Sequence, residues 1–190
     1  MKMIFFGGIQ GVGKTTLLSW LENQFKGQIV LLNPGELFRR YFYNEKITTI
    51  EEIEEMIVCE LEKMPNDSTV VIHWHYAVRR PSGFIPQICF SRLKRIAESG
   101  KIEQVVLLQV VTSVNAVCER RLKDHQAKKR KLSQVAINEE VSADEEFLTK
   151  HKVLFSRVLG GKNVTVLRLV NDDLRATQTT LYKFFKTLLS

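Results

Sequence analysis

Gly8-Ile9-Gln10-Gly11-Val12-Gly13-Lys14-Thr15 matches G-x-x-x-x-G-K-T in full, between an apolar run, Met3 to Phe6, and a helical pattern that begins near Lys14. A strand, a Gly-rich turn and a helix form the context in which such a stretch cradles phosphate. Glycines let consecutive backbone N–H groups turn inward around phosphate oxygens. Lys14 is long enough to reach the β and γ phosphates, and the Thr15 hydroxyl is suited to magnesium. The stretch predicts binding of ATP or GTP. Gly8, Gln10, Gly11, Val12, Gly13, Lys14, Thr15 and Thr16 are the expected nucleotide-binding residues, with Lys14 also catalytic and Thr15 the metal ligand.

Outward from this loop the chain alternates short apolar runs with longer amphipathic stretches. Met3 to Phe6, Ile29 to Leu32, Thr69 to His73, Gln104 to Val111 and Val164 to Val170 read as strands. Five strands separated by helical segments imply a three-layer α/β fold with a parallel sheet. Their near-continuous Val, Ile and Leu content predicts burial on both faces. Thr15 to Phe25 has helical spacing, and Thr49 with Glu52 forms a capping box ahead of a helix to about Lys63. Pro86 is placed to start a helix ending at Ser99-Gly100. Val114 to about Asp124 is another helix, and Asp173 to Leu189 the last. Between them either Asn138 or Ser142 is positioned to start a helix closed by Gly160-Gly161.

At 190 residues the chain fits one domain. No apolar run approaches the roughly 20 residues needed to span a bilayer, and Met3 to Phe6 is too short for a signal peptide, so no membrane partner and a cytoplasmic location are expected. Cys59, Cys89 and Cys118 are far apart and odd in number, which predicts buried reduced thiols rather than disulfides or a metal site. The net charge of +7 suits either nucleic acid or polyanionic nucleotides and does not choose between them. Its densest stretch, Lys123 to Lys131, lacks the aromatic interleaving of a single-strand stacking platform.

In open parallel sheets ligands gather at the carboxyl ends of strands, so a second substrate is sought after the second and third of them. Asn33-Pro34-Gly35-Glu36-Leu37-Phe38-Arg39-Arg40 brings two guanidinium groups to a helix start. Arg39 or Arg40 is suited to gripping a phosphate bidentately, and in isolation the pair reads equally well as solvated surface arginines. After the third strand, His73-Trp74-His75-Tyr76-Ala77-Val78-Arg79-Arg80-Pro81-Ser82-Gly83-Phe84-Ile85-Pro86-Gln87 offers His, Arg and Gln to a phosphate and a base.

On these residues the chain resembles nucleoside monophosphate kinases, most closely the archaeal-type adenylate kinase family, along nearly its whole length. Gly35 to Arg39 resembles the G-D-M-L-R stretch of adenylate kinases. His75 followed by Pro81 to Pro86 resembles D-T-H…T-P-x-G-Y-L-P, and Arg120-Arg121-Leu122-Lys123-Asp124 resembles the R-R-L-x-D opening of the lid. The resemblance implies transfer of the γ-phosphoryl group from Mg2+-ATP to a nucleoside monophosphate, with a nucleoside monophosphate region at about 33–63 and a lid at about 121–140. It implies that Gly35, Glu36, Arg39, His75, Arg79 and Gln87 hold the acceptor. Arg121 and Arg130 close on the transferring phosphates, and Asn171 lies near adenine. It also makes a homo-oligomer an expectation. The chain departs from the family where its third strand ends in His73 instead of Asp, with Glu36 the nearest motif carboxylate to compensate for magnesium. The alternative expectation is a regulatory or nucleic-acid-associated ATP-binding protein with weak or no kinase activity.

Overall fold

The computed structural model describes residues 1–124 and 132–190. Strand β1 (Lys2–Gly7) is followed by α1 (Lys14–Gln24), β2 (Val30–Leu32), and a short α2 (Pro34–Leu37) that widens directly into a π-helix, Phe38–Asn44. Next come α3 (Ile50–Lys63) and β3 (Thr69–His73), then a hairpin of β4 (Val78–Arg80) and β5 (Gly83–Ile85), and α4 (Phe90–Glu98). Strand β6 (Gln104–Val111), α5 (Val114–Lys123), α6 (Gln134–Leu159), β7 (Val164–Val170) and α7 (Leu174–Leu189) complete the order.

Five strands form a parallel sheet in the order β2-β3-β1-β6-β7. The two-residue period of β1 divides the core. Met3 and Phe5 face one layer with Ile53, Ile57, Trp74 and Phe155, whereas Ile4 and Phe6 face the other with Leu17, Leu21, Leu181 and Phe185. Helices therefore cover both faces, α3, α4 and the later turns of α6 on one and α1, α5 and α7 on the other. Because β1 has β3 on one side and β6 on the other, the strand order reverses at its carboxyl end. That is where an open sheet leaves a crevice.

Several boundaries obey local chemistry. Thr49 accepts from the Glu52 backbone N–H at 3.2 Å while the Glu52 carboxylate takes the Thr49 N–H at 2.8 Å, closing the expected capping box. Asp173 caps α7 by accepting from the Ala176 N–H at 2.8 Å. Other expectations are corrected. Helix α6 begins at Gln134 behind the Ser133 cap, so Asn138 and Ser142 both lie inside it. Pro86 does not start α4, which begins at Phe90. The edge strands β2 and β7 are not buried on both faces; Val166 and Val170 are exposed. The three cysteines are free but only half-buried. Of the expected lid, 125–131 lie outside the described residues, and its flanks are the last turn of α5 and the first turns of α6. Among the described residues no helix is long and apolar enough to cross a membrane.

His151 on α6 is wholly buried among Phe5, Trp74, Tyr76 and Phe90, with Nδ1 2.6 Å from the Phe147 carbonyl. Burial pushes its pKa down from 6.5 to about 4. Above pH 6.5 the ring is neutral both folded and unfolded and contributes no pH dependence. Between 6.5 and 4 the unfolded chain binds a proton that the folded chain refuses, so stability falls as pH falls. The loss reaches about 3 kcal/mol near pH 4. Urea unfolding from pH 7 to 4.5 is expected to show this decline, and His151→Phe to flatten it; an unchanged slope in the variant would contradict it.

Candidate functional site

The loop between β1 and α1 is shaped by what its carbonyl groups bind. The Lys14 ammonium, only 5% exposed, folds back to donate to the Gly8 carbonyl and, at 2.9 Å, to that of Ile9. Arg121 donates to the Gln10 carbonyl from Nε at 3.1 Å and Nη2 at 2.8 Å. Arg120 spans the Gly11 and Val12 carbonyls at 3.5 and 3.0 Å and that of Asn171 at 2.9 Å, and the Asn171 side-chain amide also donates to Val12 at 2.7 Å. A trans peptide points each N–H opposite the preceding C=O. With the Gln10, Gly11 and Val12 carbonyls held by Arg121, Arg120 and Asn171, the N–H groups of Gly11, Val12 and Gly13 point away from those side chains.

Only glycine serves at the last of these positions. Gly13 has φ 97° as the cap of α1, and a Cβ there would run into the Asn171 amide. The expected loop residues are thus one body. Thr15 and Thr16 are exposed on the first turn of α1, and Asn171 is buried behind Gly13 rather than on an open face.

Beside the loop a cleft of about 430 Å³ opens at the carboxyl ends of β1 and β3. Gln10, Gly35, Arg39, His75, Arg79, Gln87 and Arg121, all expected in the site, line it together with Tyr43, Arg80 and Glu140. The π-helix carries Arg39 and Tyr43 to the rim; such widened turns are frequent at functional positions. Arg39 is the arginine that reaches the cleft. Arg40 is turned into an ion pair with Glu45 at 3.2 Å. On the β4–β5 hairpin, Arg79 lies over the Phe84 ring at 4.5 Å and pairs with Glu139, while Arg80 donates to the Tyr43 hydroxyl at 2.8 Å. The buried Gln87 accepts from the His75 backbone N–H at 2.7 Å, which fixes the start of the hairpin segment. Glu36 lies outside this lining; its carboxylate accepts from Asn33 at 2.9 Å.

Electrostatics divide the site in two. Arg39, Arg79, Arg80 and Arg121 against Glu140 leave the cleft cationic, suited to an anion. At the end of β3, burial first, then the Lys14 and Arg39 charges, pushes the pKa of His73 down to about 4, so a neutral imidazole stands where the family resemblance leads one to expect a carboxylate. A deeper carboxylate is present: Asp144 on α6, 1% exposed, accepts from Gln109 Nε2 at 3.0 Å, and burial raises its pKa against the opposing effects of Gln109, Lys14 and the Tyr76 and Ala77 backbone N–H groups.

Among the described residues no three His, Cys, Asp or Glu converge as a metal site. The donors present, chiefly the exposed Thr15 hydroxyl, fit a magnesium ion that arrives with its own phosphate oxygens rather than a resident cage. Arg130 lies outside the described residues. Sequence reasoning missed Arg120, Arg80, Glu139, Glu140 and Asp144. Arg120 stood in a quoted motif, yet which of two adjacent helical arginines faces which carbonyl depends on the packing of α5. Asp144 had no sequence signal, because its partner Gln109 is 35 residues away.

No protein-family model and no curated protein matches the chain by sequence. Solved structures align with nearly the whole chain. A "putative kinase" from Chloroflexus aurantiacus J-10-fl is similar with a TM-score of 0.55 at 15% identity, covering 98% of this chain and 96% of that one. An uncharacterized protein from Eubacterium ventriosum ATCC 27560 matches with a TM-score of 0.49 at 9% identity, over 98% of this chain and 99% of that one. The first likeness supports the mixed α/β architecture with its helix-flanked parallel sheet.

Proposed function

We propose that the protein is an ATP-dependent nucleoside monophosphate kinase of adenylate-kinase type. One observation carries the reading. A loop whose carbonyls are tied back by Lys14, Arg120, Arg121 and Asn171, leaving N–H groups at a helix amino end, opens directly onto a cleft lined by four guanidinium groups. Phosphoryl transfer asks a protein for little beyond positioning and charge neutralisation, and these parts supply both.

On this reading the backbone N–H groups of Gly11 to Gly13 and the Lys14 ammonium take the donor phosphates, and Arg39 and Arg79 take the acceptor phosphate. Arg80 orients the acceptor rim through Tyr43, and Gln87 holds the His75 segment against it. Arg79 is shared with Glu139, so an acceptor phosphate competes with that carboxylate for the guanidinium. Magnesium would be held by Thr15 and by the nucleotide's phosphates, and supplies neutralisation of the charge that moves in the transition state. A coupled ADP-production assay with Mg2+-ATP against AMP, CMP, UMP, GMP and their deoxy forms tests the reading. A rise over ATP alone with one acceptor is expected, and a flat response with all of them would overturn it.

His73 favours a second reading, a nucleotide-binding regulatory protein with slow transfer, because a neutral imidazole beside Lys14 and Arg39 is a poor partner for hard magnesium and its waters. His73→Asp is expected to raise magnesium-supported transfer by about 10–100-fold. An unchanged rate would remove His73 as the cause of any slowness.

A further inference from the structure

Tyr43 is exposed and yet held in place. It lies one turn beyond Arg39 on the π-helix, 55% exposed, and both side chains line the cleft. Its hydroxyl accepts from Arg80 Nη1 at 2.8 Å, and the Phe42 ring, packed on the core, stands at 85° to it with centroids 5.0 Å apart. Arg80 in turn lies over Phe42 at 5.9 Å, so the hairpin and the π-helix are joined through these three side chains. A single exposed aromatic is ordinary on a protein surface. One tied at its hydroxyl and against a neighbouring ring has already given up the rotamer freedom that a ligand would otherwise have to remove.

The rest of the cleft narrows the choice of ligand. The Arg39 charge reaches His73 at the end of β3, as does that of Lys14, which places the guanidinium toward the phosphate loop. Helical residues one turn apart have Cβ atoms about 5–6 Å from each other, a span that a ribose bridges between its phosphate and its base. Arg39 therefore suits the phosphate of a nucleotide, and Tyr43 a flat, uncharged group one sugar away. Phe38, Ala77 and Val78 add apolar lining for such a group. Phe84 is less suited to receive it, because the Arg79 guanidinium already lies over its ring at 4.5 Å.

We propose that Tyr43 is the platform on which the base of the acceptor nucleotide stacks, with Arg80 the positioning residue that holds its ring. This rests on the acceptor half of the reading above and deepens it. Every base has a π face, so such a platform separates nucleotides from sugar phosphates and inorganic phosphate without choosing strongly among bases. Tyr43 binds and takes no part in the transfer step, so its loss raises the KM for the acceptor and leaves kcat nearly unchanged.

Calorimetric titration of the full chain with AMP and with ribose 5-phosphate tests it. Wild type is expected to bind AMP about tenfold more tightly. Tyr43→Ala should weaken AMP by about that factor and leave ribose 5-phosphate as it was, while Tyr43→Trp should keep the preference. Equal binding of the two probes by wild type, or unchanged AMP binding by Tyr43→Ala, would overturn the platform. So would an equal loss for both probes in Tyr43→Ala, which would make the ring a support for the phosphate grip. If Tyr43→Ala does not fold, Tyr43→Leu against Tyr43→Trp decides. Leucine should lose the preference and tryptophan retain it, and equal behaviour of the two would refute stacking. The kinase reading fails separately. Base-dependent binding without ADP formation from any acceptor would sink the kinase and leave the platform, whereas transfer with an unchanged acceptor KM in Tyr43→Ala would do the reverse.

Discussion

On the proposed kinase reading, Lys14→Met is expected to lower phosphoryl transfer by about 10³-fold, measured as ADP formation at saturating Mg2+-ATP with the best acceptor. The expectation comes from where the ammonium is held. It rests on the Gly8 and Ile9 carbonyls at the mouth of the loop, within a side chain's swing of the Gly11 to Gly13 N–H groups that take the donor phosphates on the proposed reading. A positive charge placed where negative charge develops, in a water-poor pocket, is worth far more than the same charge in water. Lys14→Arg should recover binding better than rate, because the planar guanidinium keeps the charge but not the compact point donor. Retention of more than about a tenth of wild-type transfer in Lys14→Met would remove the lysine from the chemistry.

Arg121→Met is expected to destabilise the fold by about 3–5 kcal/mol, lowering the melting temperature by about 10 °C. Arg121 is 1% exposed, gives two donors to the Gln10 carbonyl and meets Glu140 at 3.2 and 2.5 Å. Truncating it leaves a half-buried Glu140 without its cation and a loop carbonyl without its donors. Arg121→Met combined with Glu140→Gln should recover a good part of the loss, since removing both charges costs less than removing one. Urea unfolding of the two single variants and the double variant checks this. No recovery in the double variant would show that the loop carbonyl, not the ion pair, carries the cost. The resemblance placed Arg121 among groups that close on the transferring phosphates. In the fold its guanidinium lines the cleft and joins the Gln10 carbonyl to the Glu140 carboxylate.

The contrast between Arg120 and Arg121 shows where sequence reading stops. The motif around them was visible, as was the helix that carries them. Adjacent helical residues point about 100° apart, so one meets Gly11, Val12 and Asn171 and the other Gln10 and Glu140. Choosing between them needs the rotation of α5 against the loop. The β4–β5 hairpin was missed for a related reason. Three-residue strands, Val78-Arg79-Arg80 and Gly83-Phe84-Ile85, are too short to carry an alternation to detect, and Pro86, read as a helix start, instead follows β5. The first turns of α6 were missed because two later capping signals, at Asn138 and Ser142, compete with Ser133 in the sequence. In the fold Ser133 wins by accepting the Ala136 N–H at 3.4 Å, and the turns from Ala136 onward bury Ile137 against the core.

From the sequence alone came the alternation of strands and helices, the extents of β3, β6 and β7, the Thr49 capping box and the loop from Gly8 to Thr15. Each depends on neighbours within a few residues, through periodic burial, a cap or a positive φ, and such local rules are legible along a chain. Tertiary structure alone decided that Arg39 and not Arg40 lines the cleft, that burial and nearby charges lower the pKa of His73, and that Asp144 is buried with Gln109 as a partner. Those outcomes depend on burial and charge shared between segments as far apart as Lys14 and α6, and the free energy of a charge is set by everything that surrounds it in space.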